Sequence, residues 1–452
     1  MQDAGPGELA ARDTAISTLR EIFGLRGYDR TETPILEQTE LYLRKSGGAL
    51  SSRLYDFSEP GGYDVSLRPE FTSAVLRLAA DRGVDNGTLR LMYDGPVFRY
   101  AGPEDEDGSK TRQFTQLGAE LIGPRVPAAD GEVIAMALEG LNGLGITNAR
   151  VVVGHVGVVL AALSEFKLSE RAKLFLVSNI GELKRGQVDA VSEKAAVLGF
   201  ITDAVIDDAQ VAADRERLAL TIERVMTEGI GVPLGQHTGS RTPEEIIARL
   251  ARKLSQADNP EDFKRALEML SRLSQVSGQV AETLDAGSEL LASAGVPAGL
   301  ISDLREVLGA AEAEGVSRDQ ITVDFGLVRG LAYYTGMLFD IYAGDATEET
   351  LGGGGRYDGL TRALGYDRDV PALGFAYNLD AIVETRTREL DPTSDLALIS
   401  PAESGSVSSA IQRARELRTS GIRAAIDFEN SGPSESGSSG TPAVSVEGQG
   451  ER

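Results

Sequence analysis

The chain contains no cysteine, which excludes disulfides, thiolate metal sites and a cysteine nucleophile. It has only two histidines, His155 and His237. A histidine-rich metal site is thereby excluded, and a Ser-His-Asp triad has few candidates. Basic residues are also short: 45 Lys plus Arg stand against 69 Asp plus Glu, a formal net charge of −24. That balance disfavours loose binding to nucleic acid, which rests on cations neutralising phosphates. It still allows a local basic groove, and its simplest reading is a solubility charge. No run of about 18 apolar residues occurs, so no helix is expected to span a membrane. The N-terminus, MQDAGPGELAARD, is acidic and lacks an apolar signal segment, which makes the expected location cytoplasmic.

What is present suffices for a large core. The 452 residues are 41% apolar, and the length suggests roughly two to four domains. Apolar spacing predicts a helix over 7–27, closed by Gly27. An extended stretch with Pro34, a turn and a short helix follow. Residues 52–69 read as a hairpin turning at Glu59-Pro60-Gly61-Gly62, and 70–83 as a helix. LRLMYDGPVFRYAG and TRQFTQLGAELIG read as antiparallel strands around the loop EDEDGSK. Residues 128–144 read as a helix and NARVVVGHVG as a buried strand, with His155 packed or capping at its end.

Helical patterns dominate 157–318, which reads as an insertion between two pieces of one sheet domain, 1–156 and 319–390. No period of 20–50 residues repeats, which argues against a solenoid. The amphipathic stretch 242–286 favours core packing over a partner-helix face, and His237 reads as a solvated loop residue. Strand patterns return at QITVDFGLVRGLAYYTGMLFDIYAG. The glycine run 352–355 lacks the Lys-Ser/Thr of a phosphate loop. It should instead let backbone approach a pocket beside Arg356 and Tyr357. PALGFAYNLDAIVE reads as a strand entering a helix. One strand–helix–strand unit is expected within 391–428, and the Ser/Gly-rich 429–452 is expected to be disordered.

Three blocks occur in a telling order. They are LRPEFTSAVLR (68–78), GPVFRYAGP with RQFTQLGAELIG (95–123), and VRGLAYYTGMLFDIY with GGGRYDGL and ALGFAYNLDAI (328–382). With Pro34, this order resembles the class II aminoacyl-tRNA synthetase core, and within it the histidyl branch. The resemblance implies an α+β fold, an antiparallel sheet flanked by helices. It further implies a helical insertion before the last motif, a truncated anticodon-binding-like α/β unit, and a homodimer formed around Pro34. The branch includes histidyl-tRNA synthetase and the synthetase-like regulatory subunit of ATP phosphoribosyltransferase.

The residues at the family's histidine-binding positions are Glu70, Phe71, Thr72, Arg99, Gln116, Glu120, Arg329, Tyr333, Tyr334 and Tyr357. An ammonium needs carboxylates, an imidazole needs a polar partner, and a carboxylate suits an arginine. Glu70, Gln116 and Glu120 fit the first, Tyr334 and Glu120 the second, and Arg329 the third. Gln116 and Glu120, four apart in a strand, can share a face.

Adenylate formation asks for something else: fixed cations at the α-phosphate. In the family these are an arginine of motif 2, followed two residues later by a glutamate, and an arginine of motif 3. Arg99 is present, but Ala101 stands at the glutamate position. Leu379-Asp380-Ala381 stands where the family has Leu-Glu-Arg. Ala332 replaces the usual aspartate after Arg-Gly-Leu, and Phe71 replaces a glycine. Glu104, Asp105, Glu106 and Asp107 would repel a triphosphate and a tRNA end. The departures imply a non-catalytic member without cofactor, metal, nucleic-acid or membrane partner. L-histidine would be its effector. Its partner in a hetero-oligomer would be the short-form catalytic subunit of ATP phosphoribosyltransferase, which opens histidine biosynthesis. The alternatives are an active synthetase and a free-standing histidine sensor.

Overall fold

The computed structural model describes residues 3–46, 53–82, 87–100, 112–201, 258–297, 299–327, 333–344, 350–387, 397–400, 406–422 and 424–427. Two compact units are present, Met1–Arg386 and Thr387–Arg452.

The first unit opens with α1 (Pro6–Leu25), whose Ala15, Leu19 and Phe23 recur every four residues and are fully buried. The helix therefore lays one apolar stripe on the sheet. Gly27 ends it in the left-handed region at φ 80°, as the sequence predicts. β1 (Asp29–Arg30), β2 (Leu36–Gln38), α2 (Thr39–Ser46), β3 (Tyr55–Ser58), β4 (Asp64–Leu67) and α3 (Thr72–Asp81) follow. The expected hairpin is β3–β4, and β2 adds a third antiparallel strand to it.

Then come β5 (Leu89–Phe98), β6 (Gln113–Ile122), α4 (Pro127–Gly143) and β7 (Ala149–His155). The helical region contributes α5 (Val156–Ser164), α6 (Glu170–Ser178), α7 (Ile180–Lys184), α8 (Val188–Val197) and α9 (Pro260–Ser274). It continues with the short β8 (Ser277–Gly278), α10 (Val280–Ser293) and α11 (Gly299–Ala313). β9 (Ile321–Asp324), β10 (Met337–Ala343), β11 (Gly352–Arg356), α12 (Leu360–Ala363), β12 (Ala372–Asn378) and α13 (Leu379–Thr387) complete the run.

Nine strands form the main sheet in the order β1-β5-β6-β12-β11-β10-β7-β9-β8. Its centre, from β5 to β7, is antiparallel throughout. The glycine run is β11 itself, and a Cβ at Gly354 would overlap the Gly374 carbonyl of β12. Glycine thus admits close strand approach there.

Strand periodicity gives the sheet two unlike faces. Leu117, Ala119, Leu121, Val151, Val153, Phe339, Ile341, Leu373, Phe375 and Tyr377 point to one face. They form a single apolar core with α1, α4, α5, α9, α10 and α11. The described helices of 157–318 therefore share the sheet's core. The other face carries Tyr93, Gln116, Gly118, Glu120 and Gly374 at its centre, with α3 and α12 beside it. That face is where the polar residues gather.

In the second unit β13 (Ala397–Ile399) and β14 (Ala424–Ile426) pair in parallel around α14 (Val407–Thr419), which buries Ala410 and Ala414. Among the described residues no helix is long and apolar enough to cross a membrane.

Candidate functional site

Glu120 is the centre of the polar face and is 1% exposed. A carboxylate that deep is costly unless it is fully hydrogen-bonded. Three hydroxyls donate to it: Thr72 Oγ1 at 2.8 Å, Tyr93 Oη at 2.9 Å, and Tyr357 Oη. Each comes from a different element. Thr72 is the first residue of α3, Tyr93 lies on the adjacent β5, and Tyr357 directly follows β11. Burial, and then the charge of Glu120, push both tyrosine hydroxyls well above their ordinary range. They therefore remain protonated donors.

Glycine supplies the room. A Cβ at Gly118 would come 2.7 Å from the Tyr93 hydroxyl, and one at Gly374 would overlap the Glu120 carboxylate. Gly118 stands opposite Tyr93, and Gly374 opposite Glu120, in the strand registers.

Gln116 shares the face with Glu120 and is 8% exposed. Its Oε1 accepts no hydrogen bond from the described residues. A buried acceptor left open costs about 1–3 kcal/mol. Tyr333 and Tyr334 lie 4.2 Å apart by ring centroids, and 5.9 and 6.5 Å from Tyr357. The three rings form one aromatic cluster.

The remaining expected residues lie close by in different roles. Glu70 is buried and accepts from the Ser73 N–H at 3.2 Å, which ties it to the start of α3. Phe71 is 1% exposed and stacks on Tyr93. Arg99 donates from Nε to the Pro69 carbonyl at 3.0 Å, and its guanidinium lies 4.9 Å over the Phe114 ring. Arg329, Ala101, Ala332, the Glu104–Asp107 loop and His237 lie outside the described residues.

Arg356 fixes the Tyr357 corner. It donates to Asp130 at 3.0 Å, to the Pro124 carbonyl at 3.0 Å and to Asp358 at 3.1 Å. The backbone Thr335 N–H donates to the Arg356 carbonyl at 2.8 Å, stitching the Tyr333-Tyr334 segment to the same corner. His155 caps α5, its Nδ1 accepting from the Val158 N–H at 3.2 Å. Burial lowers its pKa to about 4.

Ala381, which the family resemblance sets at the motif 3 arginine, is 7% exposed and belongs to the main apolar core. Beside it, Asp380 accepts from the Thr115 N–H at 2.9 Å and pairs with Arg12 at 3.0 Å.

Among the described residues, Tyr93 is a site residue that sequence reasoning misses. A signal exists: a tyrosine one strand away from Gly118, on the face shared with Glu120, needs a partner for its hydroxyl when buried.

The histidyl-tRNA synthetase family matches residues 1–228 and 241–382. The chain is 29% identical over 444 residues to the histidine–tRNA ligase of Methanocaldococcus jannaschii, covering 95% of this chain and 88% of that protein. It is also 29% identical over 440 residues to the ligase of Synechococcus sp. (strain JA-3-3Ab), covering 95% and 84%. A solved ATP phosphoribosyltransferase regulatory subunit/histidyl-tRNA synthetase from Bacillus halodurans superposes with TM-score 0.64 at 23% identity, over 94% of this chain and 90% of that one. A histidine–tRNA ligase subunit from Alicyclobacillus acidocaldarius gives 0.52 at 22% identity, over 86% and 97%. The two-faced antiparallel sheet is the fold these proteins share, and by the extent of the family match the chain belongs to the histidyl-tRNA synthetase family.

Proposed function

We propose that the chain is a non-catalytic, synthetase-like regulatory subunit that binds L-histidine on the polar sheet face and acts on the short-form catalytic subunit of ATP phosphoribosyltransferase. The observation that carries this reading is the motif 3 position. The residues that the resemblance sets there are Ala381, a methyl in the apolar core, and Asp380, a carboxylate already paired with Arg12, and neither can serve as a transition-state cation. Losing such a cation costs several kcal/mol of transition-state stabilisation, while amino-acid binding does not need it.

The chemistry of the site suits histidine. Glu120, aligned by its hydroxyls, accepts an imidazole N–H in a charge-assisted bond. The open Gln116 Oε1 accepts from the ammonium. Arg329 is assigned to the ligand carboxylate on the family resemblance alone. Phosphoribosyl transfer belongs to the partner. Inhibition then requires that histidine bind one state of the assembly more tightly than another.

The similarity to histidine–tRNA ligases over 95% of the chain favours a second reading, an active synthetase. Histidine-dependent exchange of pyrophosphate into ATP by the purified chain separates the two. The regulatory reading expects none, and clear turnover overturns it.

A further inference from the structure

Phe71 makes no hydrogen bond to the carboxylate cluster, yet it touches what aligns that cluster. Its ring stacks on Tyr93 with centroids 4.4 Å apart and planes 12° from parallel. The Arg68 guanidinium carbon lies 3.9 Å over the other ring face. Arg68 is itself fixed, with Nε donating to the Pro96 carbonyl and Nη1 to the Thr33 carbonyl, each at 2.8 Å. Gly95, at φ 150°, leaves space for both groups. A Cβ there would come 2.6 Å from Arg68 Nη2 and 3.3 Å from Phe71 Cζ. The stack runs Arg68, Phe71, Tyr93, and ends at the hydroxyl that meets Glu120 at 2.9 Å.

Hydrogen bonds weaken steeply with angle. The direction of the Tyr93 hydroxyl is set by its ring plane, and that plane is fixed by Phe71 on one face. We propose that Phe71 is a positioning residue for ligand recognition: clamped by Arg68, it holds Tyr93 so that the hydroxyl orients Glu120 toward the ligand. The inference rests on the histidine-binding reading of the same site. It gives a role to a bulky residue where the family resemblance expects glycine.

The test is a double-mutant cycle on L-histidine affinity, read by titration calorimetry with the full chain. The four proteins are wild type, Phe71→Leu, Tyr93→Phe and the double variant. Phe71→Leu and Tyr93→Phe should each weaken binding roughly tenfold. The double variant should bind within about threefold of Tyr93→Phe alone, because residues acting as one unit are not additive. The chain has no tryptophan, so near-ultraviolet circular dichroism reports tyrosine. The part of the histidine-induced change that Tyr93→Phe removes should be missing in Phe71→Leu as well. If Phe71→Leu does not fold, Phe71→Met, which keeps the volume, takes its place in the cycle. Multiplying losses, or an unchanged affinity in the Phe71 variant, overturn the positioning role alone. A wild-type chain that binds no histidine overturns the histidine reading, and the role of Phe71 with it.

Discussion

Glu120 on β6 and Gly374 on β12 face each other in register, and a Cβ on Gly374 would overlap the carboxylate. The same Cβ would also press on the Ala119 carbonyl. One glycine therefore makes the space in which the buried carboxylate stands. Gly374→Ala should lower stability by about 1–3 kcal/mol through overpacking. It should also abolish histidine binding by displacing Glu120. Chemical denaturation and calorimetry check the two effects separately.

Glu120→Gln keeps the size of the side chain and removes the charge. Bonds to a charged acceptor are worth roughly 1.5–3 kcal/mol, so histidine affinity should fall at least tenfold. Assembly with the transferase subunit, read by size-exclusion chromatography, should be unchanged. Unaltered affinity would place the ligand elsewhere.

Ala381→Arg, which restores the family's motif 3 residue, should not restore chemistry. The site is 7% exposed and lined by the apolar core, so an uncompensated charge there should cost about 3–5 kcal/mol. A denaturation curve shifted to lower stability, with no gain of pyrophosphate exchange, is the expected result.

His155 sets an acid limit on stability. Its folded pKa of about 4 lies below the ordinary 6.5 because burial disfavours the charged ring. The unfolded chain therefore binds the extra proton first. The stabilisation is complete above pH 6.5 and is lost as pH falls toward 4. The total is on the order of 3 kcal/mol. His155→Asn offers the Val158 N–H a neutral acceptor and should flatten this part of the stability–pH curve.

Much of the fold is legible in the sequence because its signals are local. The stripe Ala15-Leu19-Phe23 and the stop at Gly27 announce α1. Glu59-Pro60-Gly61-Gly62 announces the β3–β4 turn, and the alternation in β6 places Gln116 and Glu120 on one face. Non-local facts are not legible. Nothing in LGGGG announces a central strand, because its partners lie at Leu338–Ile341 and Leu373–Tyr377. Tyr93 escapes for the same reason: its value to the site comes from register with β6 and from Phe71. His155 is legible as a cap, since it sits between a strand and an apolar helix, but its low pKa follows from burial alone.

Whether the chain regulates a partner or activates histidine is decided by phosphoribosyl transfer by a short-form ATP phosphoribosyltransferase catalytic subunit, with and without this chain and with L-histidine added. Regulation requires transferase activity that depends on the chain and falls when histidine is added. A transferase indifferent to the chain, at every histidine concentration, rules that role out.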